Sequence, residues 1–305
     1  VSRRGWLLFA AVSVLWGIPY LLIKVAVEDM HPTVIVFVRT ALAAVLLLPI
    51  AAARGQFTVL RGHWRLIAGF AVIEIALPFT LISMAETTLS SSLTGLLIAM
   101  VPLLAAVGAR VMGLDHRIGP VRITGLLLGL AGVALLVGVD LRGAQLLAAL
   151  AVAGAALGYT IGPIILNTRL AHLPGTGVIA LSLAISALAL LPFAVLNRPT
   201  EPVSGQAWGA VAVLGVVATA LALLAFSALI AEVGTSRSAV ITFVNPIIAL
   251  TLGVALLDEH ITTGMLIGFP LVIAGSVLAT RSQQPPPAAA QPSDVPTGGR
   301  SLTHP

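Results

Sequence analysis

The chain has 305 residues, of which 58% are hydrophobic and only 9% charged, with a mean hydropathy of +1.08 and a formal net charge of +5. Soluble domains carry roughly a quarter charged residues, so a globular cytosolic protein is excluded. There is no cysteine, which excludes disulfides, thiolate metal sites and thiol redox chemistry. The basic residues are scattered between apolar blocks rather than gathered into a patch for nucleic acid.

The apolar blocks run to about 20 residues, enough to cross a hydrocarbon core of roughly 30 Å. They lack the period-2 alternation of barrel strands, so helices are the remaining solution. In chain order the predicted spans are 6–27, 33–53, 64–84, 90–112, 118–139, 144–166, 174–197, 206–230, 236–257 and 262–280. The opening "SRRGWLLFAAV" superficially resembles a twin-arginine export signal. Its apolar run continues past Trp16-Gly17 without a clear cleavage site, so Arg3 and Arg4 read as anchors of the first helix. Breakers such as His31-Pro32, Gly119-Pro120, Pro174-Gly175 and Asn197-Arg198-Pro199 separate spans. Residues 281–305 are rich in Pro, Ala, Gln and Gly, cannot build a core, and are expected to be a disordered cytoplasmic tail.

Lys and Arg set the expected orientation. With the N-terminus in the cytoplasm, Arg3, Arg4, Arg54, Arg61, Arg65, Arg110, Arg117, Arg122, Arg169, Arg237, Arg281 and Arg300 fall on that side. Only Arg142 and Arg198 fall outside. Glu28, Asp29, Glu86 and Asp140 are expected mostly in external loops, while Lys24 and Arg39 sit within spans.

Two stretches, "MVPLLAAVGARVMGLDH" (100–116) and "VNPIIALTLGVALLDEH" (244–260), align at one constant offset: Pro102 with Pro246, Asp115 with Glu259, His116 with His260. Gly125 and Gly132 correspond to Gly268 and Gly275 after a one-residue slip, and Pro32 and Pro174 each open a span. The chain therefore reads as an all-α membrane protein of ten transmembrane helices in two five-helix repeats, 1–140 and 141–280. An odd number of spans per repeat inverts the second relative to the first, the plan on which many secondary transporters are built. Pro102 and Pro246 each remove a mid-span hydrogen bond. Each is either a static kink or a bend used in gating, and their symmetric placement favours gating.

These residues resemble the EamA-type members of the drug/metabolite transporter superfamily. The likeness rests on Trp16-Gly17 in span 1, Arg39 in "VRTALAAVLLLP", the two Pro-to-acidic stretches, and "ITGLLLGLAGVALLV" and "TTGMLIGFPLVIAGSVLA" closing the repeats. It covers residues 6–280. Two departures stand out: Asp115 where the family usually has Glu, and no Trp in the second repeat matching Trp16. The resemblance implies a transporter, usually an exporter, of small metabolites such as amino acids.

A charge at a helix centre costs about 2.5–3.5 kcal/mol on insertion scales, so each needs a reason. Glu74, midway along span 3, reads as a proton carrier or a partner for a substrate amine, or else as a structural partner of another span. Arg39 could anchor a substrate carboxylate, pair with Glu74, snorkel, or hold the bundle together; the family arginine points towards structure or gating. Lys24 reads best as snorkelling with an i,i+4 partner in Glu28. Trp16, Tyr20 and Lys24 recur every four residues and give span 1 one amphipathic face, expected to line a cavity. Tyr159 with Thr160, and Asn245, are the second-half candidates. The Gly125-x-x-x-Gly129 pattern, extended by Gly132, predicts close packing within the chain rather than dimerisation.

Enzyme signals are poor, with no HExxH, Walker A or GxSxG sequence. No cofactor and no metal is expected. The leading expectation is a cell-membrane secondary transporter exporting small metabolites such as amino acids, by proton antiport or facilitated exchange. Its partners would be a small-molecule substrate, the bilayer and, for antiport, protons, in a monomer or homodimer. A polar midplane cavity between the repeats is expected. The rivals are a membrane-embedded enzyme or accessory subunit acting on lipid, and a non-transporting sensor or scaffold.

Overall fold

The computed structural model describes residues 2–111, 119–138, 143–238 and 240–280. The expectations placed on Asp115, His116, Arg117, Asp140, Arg142 and the tail lie outside these residues.

Ten apolar stretches form helices, as the block lengths require. They are α1 (Arg3–Ala26), α2 (Pro32–Ala53), α3 (Phe57–Glu86) and α4 (Ser91–Ile98 continuing as Val101–Val111), followed by α5 (Pro120–Val137). The second set is α6 (Ala144–Arg169), α7 (Gly175–Leu196), α8 (Gly205–Val233), α9 (Ile241–Leu257) and α10 (Thr263–Thr280). Among the described residues nine stretches are long and apolar enough to cross a bilayer, and α9 is a shorter apolar helix. Several starts follow from local chemistry. Ser2, Ser90 and Ser204 accept the amides of Gly5, Leu93 and Ala207, while Pro32 and Pro120 occupy first-turn positions where no donor is needed.

The two sets interlock rather than lie side by side. Helix α1 packs on α8 and α9, and α6 packs on α3 and α4, so each repeat's first helix sits in the other repeat. The remaining helices pair across the pseudo-twofold, α2 with α7 and α5 with α10. Glycines set the last contact. A Cβ at Gly275 would stand 2.6 Å from the Gly125 carbonyl, and one at Gly268 would stand 2.7 Å from the Gly132 carbonyl. Only hydrogen allows those backbones to approach so closely, and the glycine pattern thus serves packing within the chain.

The prolines behave unequally. Beside Pro102 the helix breaks at Ala99-Met100, where i→i+3 bonds replace the regular ladder. Pro246 lies inside a continuous helix. A further symmetric feature was not legible in the sequence. Helices α3 and α8 each widen into a π-helical segment, Ala71–Ala76 and Val216–Leu221. Glu74 and Thr219 are the fourth residue of their respective segments.

Candidate functional site

The residues expected to form a site fall into three groups. Tyr20, Arg39, Tyr159 and Glu74 come together at the junction of the repeats. Tyr20 and Tyr159 lie near Arg39, and Tyr159 near Glu74. Their helices, α1, α2, α6 and α3, cross here because of the exchange of first helices.

Arg39 is 6% exposed. Its Nε donates to the Thr219 hydroxyl at 2.8 Å, and its guanidinium carbon stands 3.7 Å from the Phe79 ring centroid, a cation–π contact. Thr219 donates in turn to the Leu214 carbonyl at 2.7 Å, so its lone pairs face the arginine. The π segment of α8 supplies that hydroxyl. Gly215 just before it admits α2, since a Cβ there would be 3.0 Å from the Arg39 carbonyl. The pairing of Arg39 with Glu74 is corrected: the arginine is held by Thr219 and Phe79, and no carboxylate lies within ion-pair distance of it among the described residues.

Glu74 is half-buried, with one carboxylate oxygen enclosed and without a hydrogen-bond partner. Its side chain lies over Gly162, where any Cβ would collide with the carboxylate. Gly154, Gly158 and Gly162 form a stripe of α6 facing Leu81, Pro78 with the Ile73 carbonyl, and Glu74 in turn. The spacing GxxxGxxxG is plain in the sequence. What it packs against is decided only by the fold.

Trp16 meets a different helix from the rest of its stripe. It stacks on Phe226 of α8, centroids 4.6 Å apart, within an apolar cluster containing Val12, Leu229 and Ile241. That contact packs α1 against α8. Asn245 also joins helices: with its amide nitrogen as donor it reaches the Ile241 carbonyl at 3.1 Å and the Ser13 carbonyl at 3.2 Å. Thr160 is spent on its own helix, donating to the Ala156 carbonyl.

Lys24 differs from its expected pairing with the exposed Glu28. Its Nζ donates to the carbonyls of Glu86 and Leu89 at 2.8 and 2.9 Å, capping the end of α3. The external-loop placement of Glu86 is corrected as well: this residue is 0% exposed. Sequence reasoning missed it because it lies at a span end, where hydropathy cannot tell a loop carboxylate from an enclosed one. Beside it Glu259 accepts the amides of Ser91 and Ser92 at 2.7 and 2.9 Å, a charge on the N-terminus of α4 supplied by the other repeat.

Two clefts of about 260 and 240 Å³ are apolar and lie away from Arg39, one beside Leu22, Val213 and Leu257, the other beside Phe37, Leu191 and Ala194. Both membrane faces are tied between repeats. On the face carrying Arg3 and Thr280, Ser2 donates to Glu232 at 2.6 Å and the His63 and His172 rings meet at 3.3 Å. On the opposite face the Ser204 amide donates to Asp29 at 3.0 Å and Thr33 to the Phe193 carbonyl at 3.3 Å. The arrangement is that of a closed junction.

The fold and the sequence have known counterparts. A protein of known crystal structure superposes with a TM-score of 0.65 at 21% identity, covering 92% of this chain and 98% of its own. "Uncharacterized transporter YvbV" of Bacillus subtilis is 25% identical over 295 residues, 95% of each chain. A "Probable amino-acid metabolite efflux pump" of Salmonella typhimurium is 24% identical over 294 residues, 90% of this chain and 94% of its own. Residues 3–138 and 146–281 each match the EamA-like transporter family, which together span nearly the whole sequence. Two copies of the domain, wound into one interlocked bundle of ten helices, make this chain a multi-pass membrane protein of the EamA-like transporter family.

Proposed function

We propose that this transporter exports small amphipathic metabolites, amino acids foremost, across the cytoplasmic membrane by alternating access, with both termini cytoplasmic. The observation that carries the substrate class is Arg39. A guanidinium enclosed at the repeat junction with no counter-anion among the described residues is costly, and a substrate carboxylate would offset that cost. Glu74 offers the complementary case, a carboxylate oxygen enclosed without a donor. A zwitterion carries both missing partners. The name of the Salmonella relative supports the same class, and the bias of Lys and Arg supports the orientation.

Repeats 1–140 and 141–280 rock about the junction, with bends at Pro102 and Pro246 accommodating the change. Transport runs by proton antiport with Glu74 as carrier, or by facilitated exchange. The test is counterflow in proteoliposomes at equal pH, with a labelled amino acid outside and the same compound unlabelled in excess inside. Transient accumulation, lost in Arg39→Met, supports the reading. Folded protein that accumulates none of the amino acids defeats it.

A further inference from the structure

Glu86 is the one acidic side chain of the described residues that is fully enclosed: it is 0% exposed, and neither carboxylate oxygen has a hydrogen-bond partner. Its place in the fold makes a bare negative charge still less favourable. It ends α3, where the helix dipole is itself negative. The groups facing it come from several elements: Lys24 and Tyr20 of α1, Arg39 of α2, and Glu259 from the segment after α9. None of them makes a hydrogen bond to its carboxyl. The Lys24 ammonium is used on the Glu86 and Leu89 carbonyls, and the amides of Ser91 and Ser92 are taken by Glu259. The Ser83 hydroxyl, one turn earlier on α3, is likewise enclosed and unpartnered. Burying a charged carboxylate without a donor costs far more than burying the acid.

We propose that Glu86 is a proton-binding site that latches the membrane face opposite the termini, protonated while that face is closed and deprotonated when it opens. Opening that face must draw α1 away from the end of α3, which breaks both Lys24 bonds. Water then reaches the carboxyl and takes its proton, leaving a hydrated carboxylate, while the freed ammonium is hydrated in turn; closing reverses each step. Acid on that face therefore holds it shut. The inference rests on the transport reading only in requiring that the face open, and it is separate from the part given to Glu74.

The test needs no substrate, so it stands apart from counterflow. Infrared spectra of the full-length protein are titrated with pH for the protonated-carboxyl band. That band, exchanged by deuterium, is expected in Glu74→Gln, where the other enclosed carboxyl is removed, and missing when Glu86→Gln is added to it. The chain has no cysteine, so opening is read by alkylation of Leu89→Cys, a 2% exposed position, normalised to the exposed Thr87→Cys. The normalised rate should rise with pH and become pH-independent when Glu86→Gln is added. A band that survives in the double variant, or the same pH slope with and without Glu86→Gln, overturns the proposal. If the glutamine variant does not fold, Glu86→Asp must shift the band; an unmoved band also overturns it.

Discussion

Replacing Thr219 by valine removes the acceptor that holds Arg39 while keeping the shape of the side chain. Interhelical hydrogen bonds in membrane proteins average about 0.6 kcal/mol in double-mutant cycles and reach about 1.7. The 2.8 Å bond from Nε is short, charge-assisted and enclosed, which places it at the upper end, about 1.5 kcal/mol. That corresponds to roughly tenfold in the folded-to-unfolded ratio. Thr219→Val also loses the bond to the Leu214 carbonyl, so the single variant overstates the pair. A cycle of Thr219→Val with Arg39→Met separates the two, because the Leu214 bond is lost in both backgrounds. Reversible unfolding in mixed micelles should return a coupling of about 1.5 kcal/mol, well beyond the ~0.3–0.5 kcal/mol scatter of additive pairs. Counterflow by Thr219→Val should weaken with it, since a loosened guanidinium presents a poorer anchor. Additivity within that scatter would refute the claim that Thr219 positions Arg39.

Three further outcomes follow from contacts elsewhere. In Gly158→Ala the new Cβ would lie 2.5 Å from the Ile73 carbonyl and 2.6 Å from Pro78 Cγ; neither can yield, so α6 must back off α3 at a cost of about 1–3 kcal/mol. Gly69→Ala, with open space at its Cβ, is the control and should be neutral or stabilising in the same thermal unfolding assay. Glu259→Ala strips the acceptor from two α4 amides and should cost about 1–2 kcal/mol, with faster alkylation of Leu89→Cys as the sign that the face loosens. Lastly, the Ser204 hydroxyl and amide hold the Asp29 carboxyl below its ordinary range. Its contribution is therefore full above the usual aspartate value and is lost as pH falls through the lowered one. Asp29→Ala should flatten that part of the acid dependence of unfolding.

What could be read directly from the chain was whatever depends on composition and period. Blocks of about 20 apolar residues must become helices, because a backbone in lipid has to satisfy its own polar groups. A five-span unit written twice must invert, because five is odd. Glycines at fourfold spacing must meet something closely, because nothing else favours so many residues without a side chain. The family pattern was legible for the same reason, being a sequence of spans, prolines and acidic turns.

Partners were another matter. A pairing of Arg39 with Glu74 was one of several readings open to two charges in neighbouring spans. The interlocked repeats instead hand Arg39 to Thr219, in the π segment of a helix 180 positions later, and leave Glu74 over Gly162. Trp16, Tyr20 and Lys24 share a stripe of α1, yet its three levels meet different helices, so one became packing, one joined the junction and one became a cap. Glu86 shows the limit most clearly. Hydropathy averages over a window and therefore treats a carboxylate at a span end as wet. Whether water reaches it depends on which distant helix covers that end, and here α1 and the turn after α9 do.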